Sequence, residues 1–540
     1  MAPIAPTPEP KRWSIPQPAI LRRALEFNAN FPALILLAWL ILYATRPFYL
    51  GLYRDDWWSL VEPVHATKPF SYERLRQFVG FSTNYGPRPL MGITTFLASS
   101  LVGASPHGHQ FVSCVLVLAA ALSLRAWLKA LAPVPAARGA FAADLAVIAW
   151  LAMPWMLGIT VWPTASHNLV AQILFTEAAR RLLRHDQLTR RTIALYTVLL
   201  IACGLTYEAF YFQMFPLIGL YAFCQLGPAK NPRSIGMLLG ASCVGQLIPI
   251  AVNRYTASIG GAPAKRFSVD WLLGFLSNVH NLPRMLEASV GNPAAWRLVL
   301  AVFGAAALML LRSGFVQPSE RRVARHITGL VAFTGVTLLI SSLVYALAGY
   351  GLATFGVESR TMLAPSLSLT IALFALLCGV FIRGFRSAKA ALVSSSAALI
   401  VVLAVAQHRQ LQDWAESWQQ EQAILAGAPV AEIGRCLPDS AILFVGPSMY
   451  RHIVIFNAEW DLTAAVFSLN PLNQGRPPYQ RMTQVYPAQE SYQWIWDGNV
   501  LRMELPGVWT RKFHASHLYV WRNGIPGLEQ VATGFQWPPK

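Results

Sequence analysis

The stretch Tyr53-Arg54-Asp55-Asp56-Trp57-Trp58 follows directly on the first apolar run of the chain. Trp and Tyr are common at a membrane–water interface because their rings are amphipathic. Two adjacent carboxylates at that depth are costly, and acidic groups placed there are functional candidates. Asp55 and Asp56 therefore indicate a site at a membrane surface, unless they only cap an interfacial helix that begins at Trp57.

The composition of the 540-residue chain is that of a membrane protein. Hydrophobic residues make up 55% of it and charged residues only 13%, whereas a soluble domain carries roughly 25% charged residues. The net charge of +18 could suggest a nucleic-acid partner. However, the Lys and Arg residues stand in short clusters between apolar runs, which is typical of the cytoplasmic loops of a membrane protein. We therefore expect membrane lipids, and no nucleic acid, as partners.

The apolar runs predict an all-α polytopic membrane protein with about eleven spans, since a spanning helix needs ~20 residues. A further run, 89–104, is either a span or a helix that lies in the interface. The runs taken as spans are 31–50, 109–124, 142–161, 168–184, 192–209, 210–226, 235–252, 296–311, 327–350, 361–382 and 389–407.

The basic clusters predict the orientation. If 89–104 lies in the interface and the N-terminus is inside, every short basic cluster falls on the inner side, with roughly half of the 43 Lys and Arg residues. If 89–104 were a span, the cluster Arg180–Arg191 would lie outside. The composition suits a bacterial inner membrane. We expect three parts: a cytoplasmic tail over 1–30, a transmembrane domain over 31–407 with an outer loop over 51–108, and a periplasmic domain over 408–540.

The C-terminal region is polar and has the signals of a small α+β domain. Strand-like runs occur at Ala441–Val445 and His517–Trp521. The pairs Gly446-Pro447 and Asn523-Gly524 mark turns. We expect this domain to be outside the cytoplasm.

The predicted topology places a set of polar side chains on the outer face. If these residues were distributed at random, about half of them would lie on the inner face. A site at the outer membrane boundary requires this shared side. The residues are Asp55 and Asp56 after the first run, His167 in the next outer loop, Tyr207 and Glu208 after the fifth, several basic residues in the outer loop 253–295, and Glu358 and Arg360 before the tenth.

Each of these residues also has a purely structural interpretation. Tyr207-Glu208 could mark a tight turn, His167 could be a satisfied interface histidine, Glu358 and Arg360 could form a local ion pair, Arg88 could extend to the interface from the helix that follows it, and Trp57-Trp58 could anchor the interface.

The order of short motifs resembles a known superfamily. One span is followed by Asp55-Asp56-Trp57, then by Arg88-Pro89-Leu90, then by the amphipathic run 89–104 and the second span. This order resembles the GT-C superfamily of polytopic glycosyltransferases, in particular the bacterial branch related to lipid A aminoarabinose transferases and to dolichyl-phosphate-mannose protein mannosyltransferases. The resemblance is best over roughly the N-terminal half of the chain, and the predicted number of about eleven spans also agrees with it. The aminoarabinose branch has a Lys-Pro-Pro-Leu-like segment where this chain has Pro87-Arg88-Pro89-Leu90.

The resemblance implies a membrane glycosyltransferase with a polyprenyl-phosphate sugar donor and an envelope lipid, glycan or protein as acceptor. Asp55 would be the general base, and Asp56 would orient it or the acceptor. One direct displacement would invert the anomeric carbon. Arg360 is the first candidate for binding the donor phosphate, and Arg88 and Arg54 are the next candidates, since arginine fits phosphate bidentately. His167, Tyr207, Glu208 and Glu358 would bind substrate.

Three alternatives remain open. No cofactor is implied, but Asp55, Asp56, Glu208 and His167 could supply ligands to a divalent metal. The chain could instead be a transporter or flippase for a lipid-linked saccharide, or a non-catalytic membrane protein of envelope assembly.

Overall fold

The computed structural model of the chain describes residues 30–80, 85–259, 270–294, 296–297, 300–301, 303–304, 318–383, 386–436, 440–456, 459–468, 484–487, 493–497, 499–505 and 509–531. Nearly all of the predicted tail over 1–30 lies outside these residues. So do Lys265, Arg266 and most of the predicted span 296–311.

The described residues are mostly helical, as the apolar runs predict. Ser71, Ser105 and Thr189 cap the helices that follow them through their side-chain oxygens. The helices of eight or more residues are α1 (Ala33–Tyr43), α2 (Tyr72–Val79), α3 (Pro89–Val102), α4 (Pro106–Leu131), α5 (Ala136–Leu151), α6 (Leu169–Leu183), α7 (Arg190–Thr206), α8 (Met214–Cys224), α9 (Pro232–Ile259), α10 (Trp271–Val290), α11 (Pro318–Leu347), α12 (Leu363–Arg383), α13 (Arg386–Ala426) and α14 (Glu459–Ser468).

Short helical turns fill many of the connections. Trp57–Val61 is a π-helix, a form that is frequent at functional sites. The other short helices are Arg46–Phe48, Glu62–Ala66, Pro154–Met156, Leu157–Thr160, Pro163–Ser166, Glu208–Phe210, Gly227–Lys230, Val357–Met362, Val430–Ile433 and Ala515–His517.

Among the described residues, five helices are long and apolar enough to cross a membrane. A sixth is present if α5 and the helix over Pro154–Thr160, which meet at 66°, form one broken span. The polytopic helical fold is therefore confirmed, and the number of about eleven spans stays a prediction.

The predicted outer loop 253–295 is largely helical instead. Helix α9 continues to Ile259, and α10 occupies Trp271–Val290. The amide of Asn278 ties α10 to the connection after α11, because its Oδ1 accepts the Leu352 N–H at 2.9 Å. The polar residues of α10 lower its average hydropathy, and this hides an amphipathic helix from a search for apolar runs.

Helix α13 passes through the predicted domain boundary at 408 without a break. Its 41 residues contain neither Gly nor Pro, so nothing in the sequence ends the helix there. Beyond 408 its buried residues recur at helical spacing, at Leu411, Trp414 and Trp418. The polar composition therefore marks an amphipathic extension of the helix, and the strands begin only after it.

The C-terminal domain is small and mixes strands with a helix, as predicted. Strands β1 (Ala441–Val445) and β8 (Leu518–Arg522) were both expected, and they pair in parallel at the centre of a four-stranded sheet. In that sheet β1 also pairs with β4 (Gln484–Pro487), and β8 pairs with β9 (Glu529–Gln530). Helix α14 makes the crossover from β1 to the parallel strand β4, as such pairs require. The remaining strands are β2 (Met449–Tyr450), β3 (Ile453–Val454), β4 (Gln484–Pro487), β5 (Gln493–Trp496), β6 (Val500–Leu505), β7 (Trp509–His514) and β9 (Glu529–Gln530).

Buried hydrogen bonds bring three distant segments together. Gln110 Nε2 on α4 donates to the carbonyls of Gly51 at 2.6 Å and Val161 at 2.7 Å. The N–H of Gly158 donates to Ser359 Oγ at 2.9 Å, and a Cβ at position 158 would clash there. The segments over 51–59, 157–168 and 356–362 therefore meet at one place.

Candidate active site

A cavity of about 420 Å³ opens where these three segments meet. Its size is that of a ligand pocket. Six of the nine predicted site residues line it, although they are far apart in the sequence: Arg54, Asp55, Arg88, Tyr207, Glu208 and Arg360. Asp56, His167 and Glu358 are not part of the lining.

Two of the predicted arginines share one carboxylate beside the cavity. Glu358 accepts from Arg54 Nη1 at 2.7 Å through one oxygen and from Arg360 Nη2 at 3.3 Å through the other. The local pair of Glu358 and Arg360 is thus present, but it belongs to a larger bridge. Both guanidinium groups also lie near the ring of Trp162, at 5.7 and 5.2 Å from its centroid.

Arg54 is held in an unusual conformation. Its φ is +50°, in the left-handed region that a non-glycine residue rarely adopts. Burial acts to lower the pKa of Arg54, but Asp55 and Glu358 outweigh it and raise that pKa. A strained residue beside a cavity is a reason to look for function there.

The two aspartates have different surroundings. Asp55 lines the cavity, and 28% of its side chain is exposed. Asp56 is fully buried and accepts from the Tyr53 N–H at 2.8 Å, the Thr164 N–H at 2.9 Å and Thr164 Oγ1 at 2.5 Å. Burial raises the pKa of Asp56 to about 7, while the bonds from Thr164 and Tyr53 act to lower it.

These contacts decide two earlier interpretations. The Asp56 side chain makes no capping bond to the helix that begins at Trp57. It ties the segment after α1 to the segment of Thr164 instead. Trp57 is no interface anchor, since it is only 6% exposed, stacks on Trp418 and donates to Glu421 of α13.

Arg88 and Glu208 form a pair across the other wall of the cavity. Arg88 Nε donates to one Glu208 oxygen at 2.8 Å and Nη2 donates to the other. Burial acts to lower the pKa of Arg88, but the charge of Glu208 raises it. A turn is present here, because Tyr207 follows the last residue of α7 and Glu208 begins the short helix Glu208–Phe210. The turn presents both residues to the cavity, and the Arg88 guanidinium is directed to the Glu208 carboxylate.

His167 lies behind the cavity wall. It is 2% exposed, and burial lowers its pKa to about 3, so that the ring is neutral near pH 7. Among the described residues, no three His, Cys, Asp or Glu side chains form a group that could hold a metal. The structure describes all four ligands that the sequence suggested, and they do not form such a group. They are Asp55, Asp56, Glu208 and His167.

Several lining residues were not predicted as site residues, notably Trp162, Asn168, Tyr345 and Tyr350. Trp162 and Asn168 lie on either side of His167 in the loop that was predicted to be outside. A Trp and an Asn beside a candidate histidine were a usable signal. Tyr345 lies in the last turn of α11 and Tyr350 shortly after it, both at the end of the predicted span 327–350. Nothing in their local sequence distinguishes them from interface tyrosines.

No family model matches the chain, and no curated protein matches it. Solved structures to which the chain is similar include two of ArnT from Cupriavidus metallidurans. The structure bound to undecaprenyl phosphate has a TM-score of 0.45 and 10% sequence identity, over 86% of this chain and 90% of that one. The apo structure has a TM-score of 0.35 and 12% identity, over 85% and 89%.

Proposed function

We propose that the chain is a membrane glycosyltransferase of the bacterial inner membrane, which moves a sugar from a polyprenyl-phosphate donor to a hydroxyl of an envelope acceptor. The observation that carries the proposal is the lining of the cavity, where Asp55 stands among Arg54, Arg88 and Arg360. A carboxylate can take a proton from a hydroxyl, and arginines can stabilise a phosphate leaving group. These are the two tasks of a displacement at an anomeric carbon.

The proposed step is a single displacement. The acceptor oxygen attacks the anomeric carbon while the bond from that carbon to the phosphate oxygen breaks. The acceptor proton passes to the Asp55 carboxylate, and the charge that develops on the phosphate is held by Arg360 and Arg54. One displacement of this kind inverts the anomeric carbon. Asp56 contacts neither reactant in this scheme, and it positions the loop that presents Asp55.

Arg360 and Arg54 support phosphate binding better than Arg88 does. Arg88 is already engaged by both oxygens of Glu208. Arg360 and Arg54 share the two oxygens of Glu358, whose side chain is 43% exposed. A phosphate can bridge two guanidinium groups in the same manner.

Binding of undecaprenyl phosphate to the purified protein tests the proposal. Loss of a charged hydrogen bond costs about 1.5–3 kcal/mol, so Arg360→Gln should weaken binding about 10- to 100-fold. Arg297→Gln is the matched control, because Arg297 pairs with Glu287 and does not line the cavity. Equal affinity of the Arg360→Gln and wild-type proteins would contradict the assignment of the phosphate site.

A further inference from the structure

The charged side chains that line the cavity leave a surplus of one positive charge. In the part of the chain that the structure describes, these are three arginines and two carboxylates: Arg54, Arg88, Arg360, Asp55 and Glu208. Arg88 and Glu208 offset each other, because both oxygens of the carboxylate accept from the one guanidinium. The charges that remain for a ligand are therefore those of Arg54, Arg360 and Asp55.

Glu358 removes this surplus from just outside the lining. Its two oxygens accept from Arg54 at 2.7 Å and from Arg360 at 3.3 Å. The Glu358 side chain is 43% exposed, against 17% and 23% for the two arginines. Because this carboxylate stays partly hydrated, loosening one of its ion pairs costs little. The proposed transfer step gives a task to Asp55 and none to Glu358.

The phosphate changes its charge in the proposed step. In the sugar donor it is a diester with one negative charge. When the bond to the anomeric carbon breaks, the phosphate oxygen keeps the electron pair and the acceptor proton passes to Asp55. The product is a monoester, which carries a charge of about −1.5 to −2 at pH 7. Arginines that stabilise this developing charge also attract the product more strongly than the donor.

We propose that Glu358 limits this excess affinity, so that the product lipid leaves and a new donor can replace it. The inference rests on the proposed function and makes Glu358 a determinant of specificity between the two lipids. A negative charge beside the phosphate repels the monoester up to twice as strongly as the diester. Each of the two arginines also directs to Glu358 an N–H group that a phosphate would otherwise accept.

The test compares two lipids that have the same tail and differ in charge. Undecaprenyl phosphate is the monoester, and methyl undecaprenyl phosphate is a diester without a sugar. Glu358→Gln removes the charge and keeps the size of the side chain. It should raise the affinity for the monoester relative to the diester about three- to tenfold, on the order of the repulsion of one charge at a partly hydrated site.

The ratio of the two affinities separates this role from a structural one. If Glu358 only held Arg54 and Arg360 in place, Glu358→Gln would weaken both lipids equally, because both use the same arginines. An unchanged ratio, or a ratio shifted toward the diester, would overturn the inference. Glu358→Ala should shift the ratio in the same direction as Glu358→Gln, and it carries the test if Glu358→Gln does not fold.

Glu287→Gln is the matched control, because Glu287 pairs with Arg297 and does not line the cavity. It should leave the ratio as in the wild type. A wild-type protein that binds neither lipid, or an Arg360→Gln protein that binds both as the wild type does, would contradict the proposed function itself. If those two tests succeed and the ratio is unchanged in Glu358→Gln, only the role of Glu358 fails.

Discussion

At the scale of single residues, burial separates the roles of two adjacent aspartates. Asp55 faces the cavity and Asp56 faces the protein, where Tyr53 and Thr164 donate three hydrogen bonds to it. A partly exposed carboxylate can meet an acceptor hydroxyl, whereas a fully buried and satisfied one cannot. The acidic pair therefore combines one candidate for chemistry with one that fixes its position.

The burial of Asp56 predicts a pH dependence of stability. Its pKa in the folded protein, about 7, is above the ordinary value of 3.8. Between these values the folded state binds a proton that the unfolded state has released, so this group's contribution to stability falls as pH rises from about 4 to about 7. Thermal unfolding in detergent should show this decline, and Asp56→Asn should reduce it. An unchanged decline in Asp56→Asn would contradict the assignment of the decline to Asp56. Asp186→Asn is the control, because the Asp186 side chain is exposed, and it should leave the decline as in the wild type.

The pair of Arg88 and Glu208 should behave as a coupled unit. About a quarter of each side chain is exposed, so removing either partner should cost on the order of 1–2 kcal/mol, less than in a fully buried pair. Arg88→Met and Glu208→Gln should each lower the melting temperature, and the double variant should lose less than the sum. Strict additivity of the three unfolding free energies would show that the pair is not coupled.

At the scale of elements, the C-terminal domain supports the turn that carries Arg360. The turn begins at Gly356, with φ +59°, and a Cβ there would clash with the His452 carbonyl of the hairpin formed by β2 and β3. The ring of Phe355 packs 5.1 Å from that of His452. Arg451 of the same hairpin binds Asp413 on α13. The C-terminal domain thereby holds an arginine of the cavity in place.

Gly356→Ala should move this turn. The new Cβ meets backbone in a conformation that disfavours any side chain, so we expect a loss of about 1 kcal/mol or more in stability and weaker binding of undecaprenyl phosphate. Gly335→Ala is a matched control, because nothing lies within 4 Å of a Cβ at that helical position. It should be neutral or slightly stabilising. Wild-type binding by Gly356→Ala would show that the hairpin does not position Arg360.

At the scale of the whole molecule, the sequence was informative where its signal was local. Apolar runs predict the helical fold, and short strand-like runs bounded by turn residues predict β1 and β8. The topology predicted from the basic clusters assigned Arg54, Arg88, Glu208 and Arg360 to the same face of the membrane. In the structure these four residues line one cavity. The features that the sequence did not predict depend on tertiary contacts. The burial of His167 and Asp56, and the pairing of Arg88 with Glu208, come from packing that no single stretch encodes.

The orientation in the membrane remains a prediction that labelling can test. Met449 lies in β2 of the C-terminal domain and is 52% exposed. In a protein whose other cysteines are replaced, Met449→Cys should react with a membrane-impermeant maleimide in intact spheroplasts. The same protein without the new cysteine is the control. Labelling only after permeabilisation would place the C-terminal domain in the cytoplasm, and the orientation would then be reversed.

The central claim is that Asp55 acts as the base of glycosyl transfer. Its most direct test is the transfer of labelled sugar from a glycosyl undecaprenyl phosphate to the native envelope acceptor, measured in membrane vesicles containing the wild-type or Asp55→Asn protein. Asp55→Asn should lower the rate by about 10²–10⁴-fold, the typical contribution of a general base, while undecaprenyl phosphate still binds with wild-type affinity. Transfer at the wild-type rate by Asp55→Asn would contradict the account.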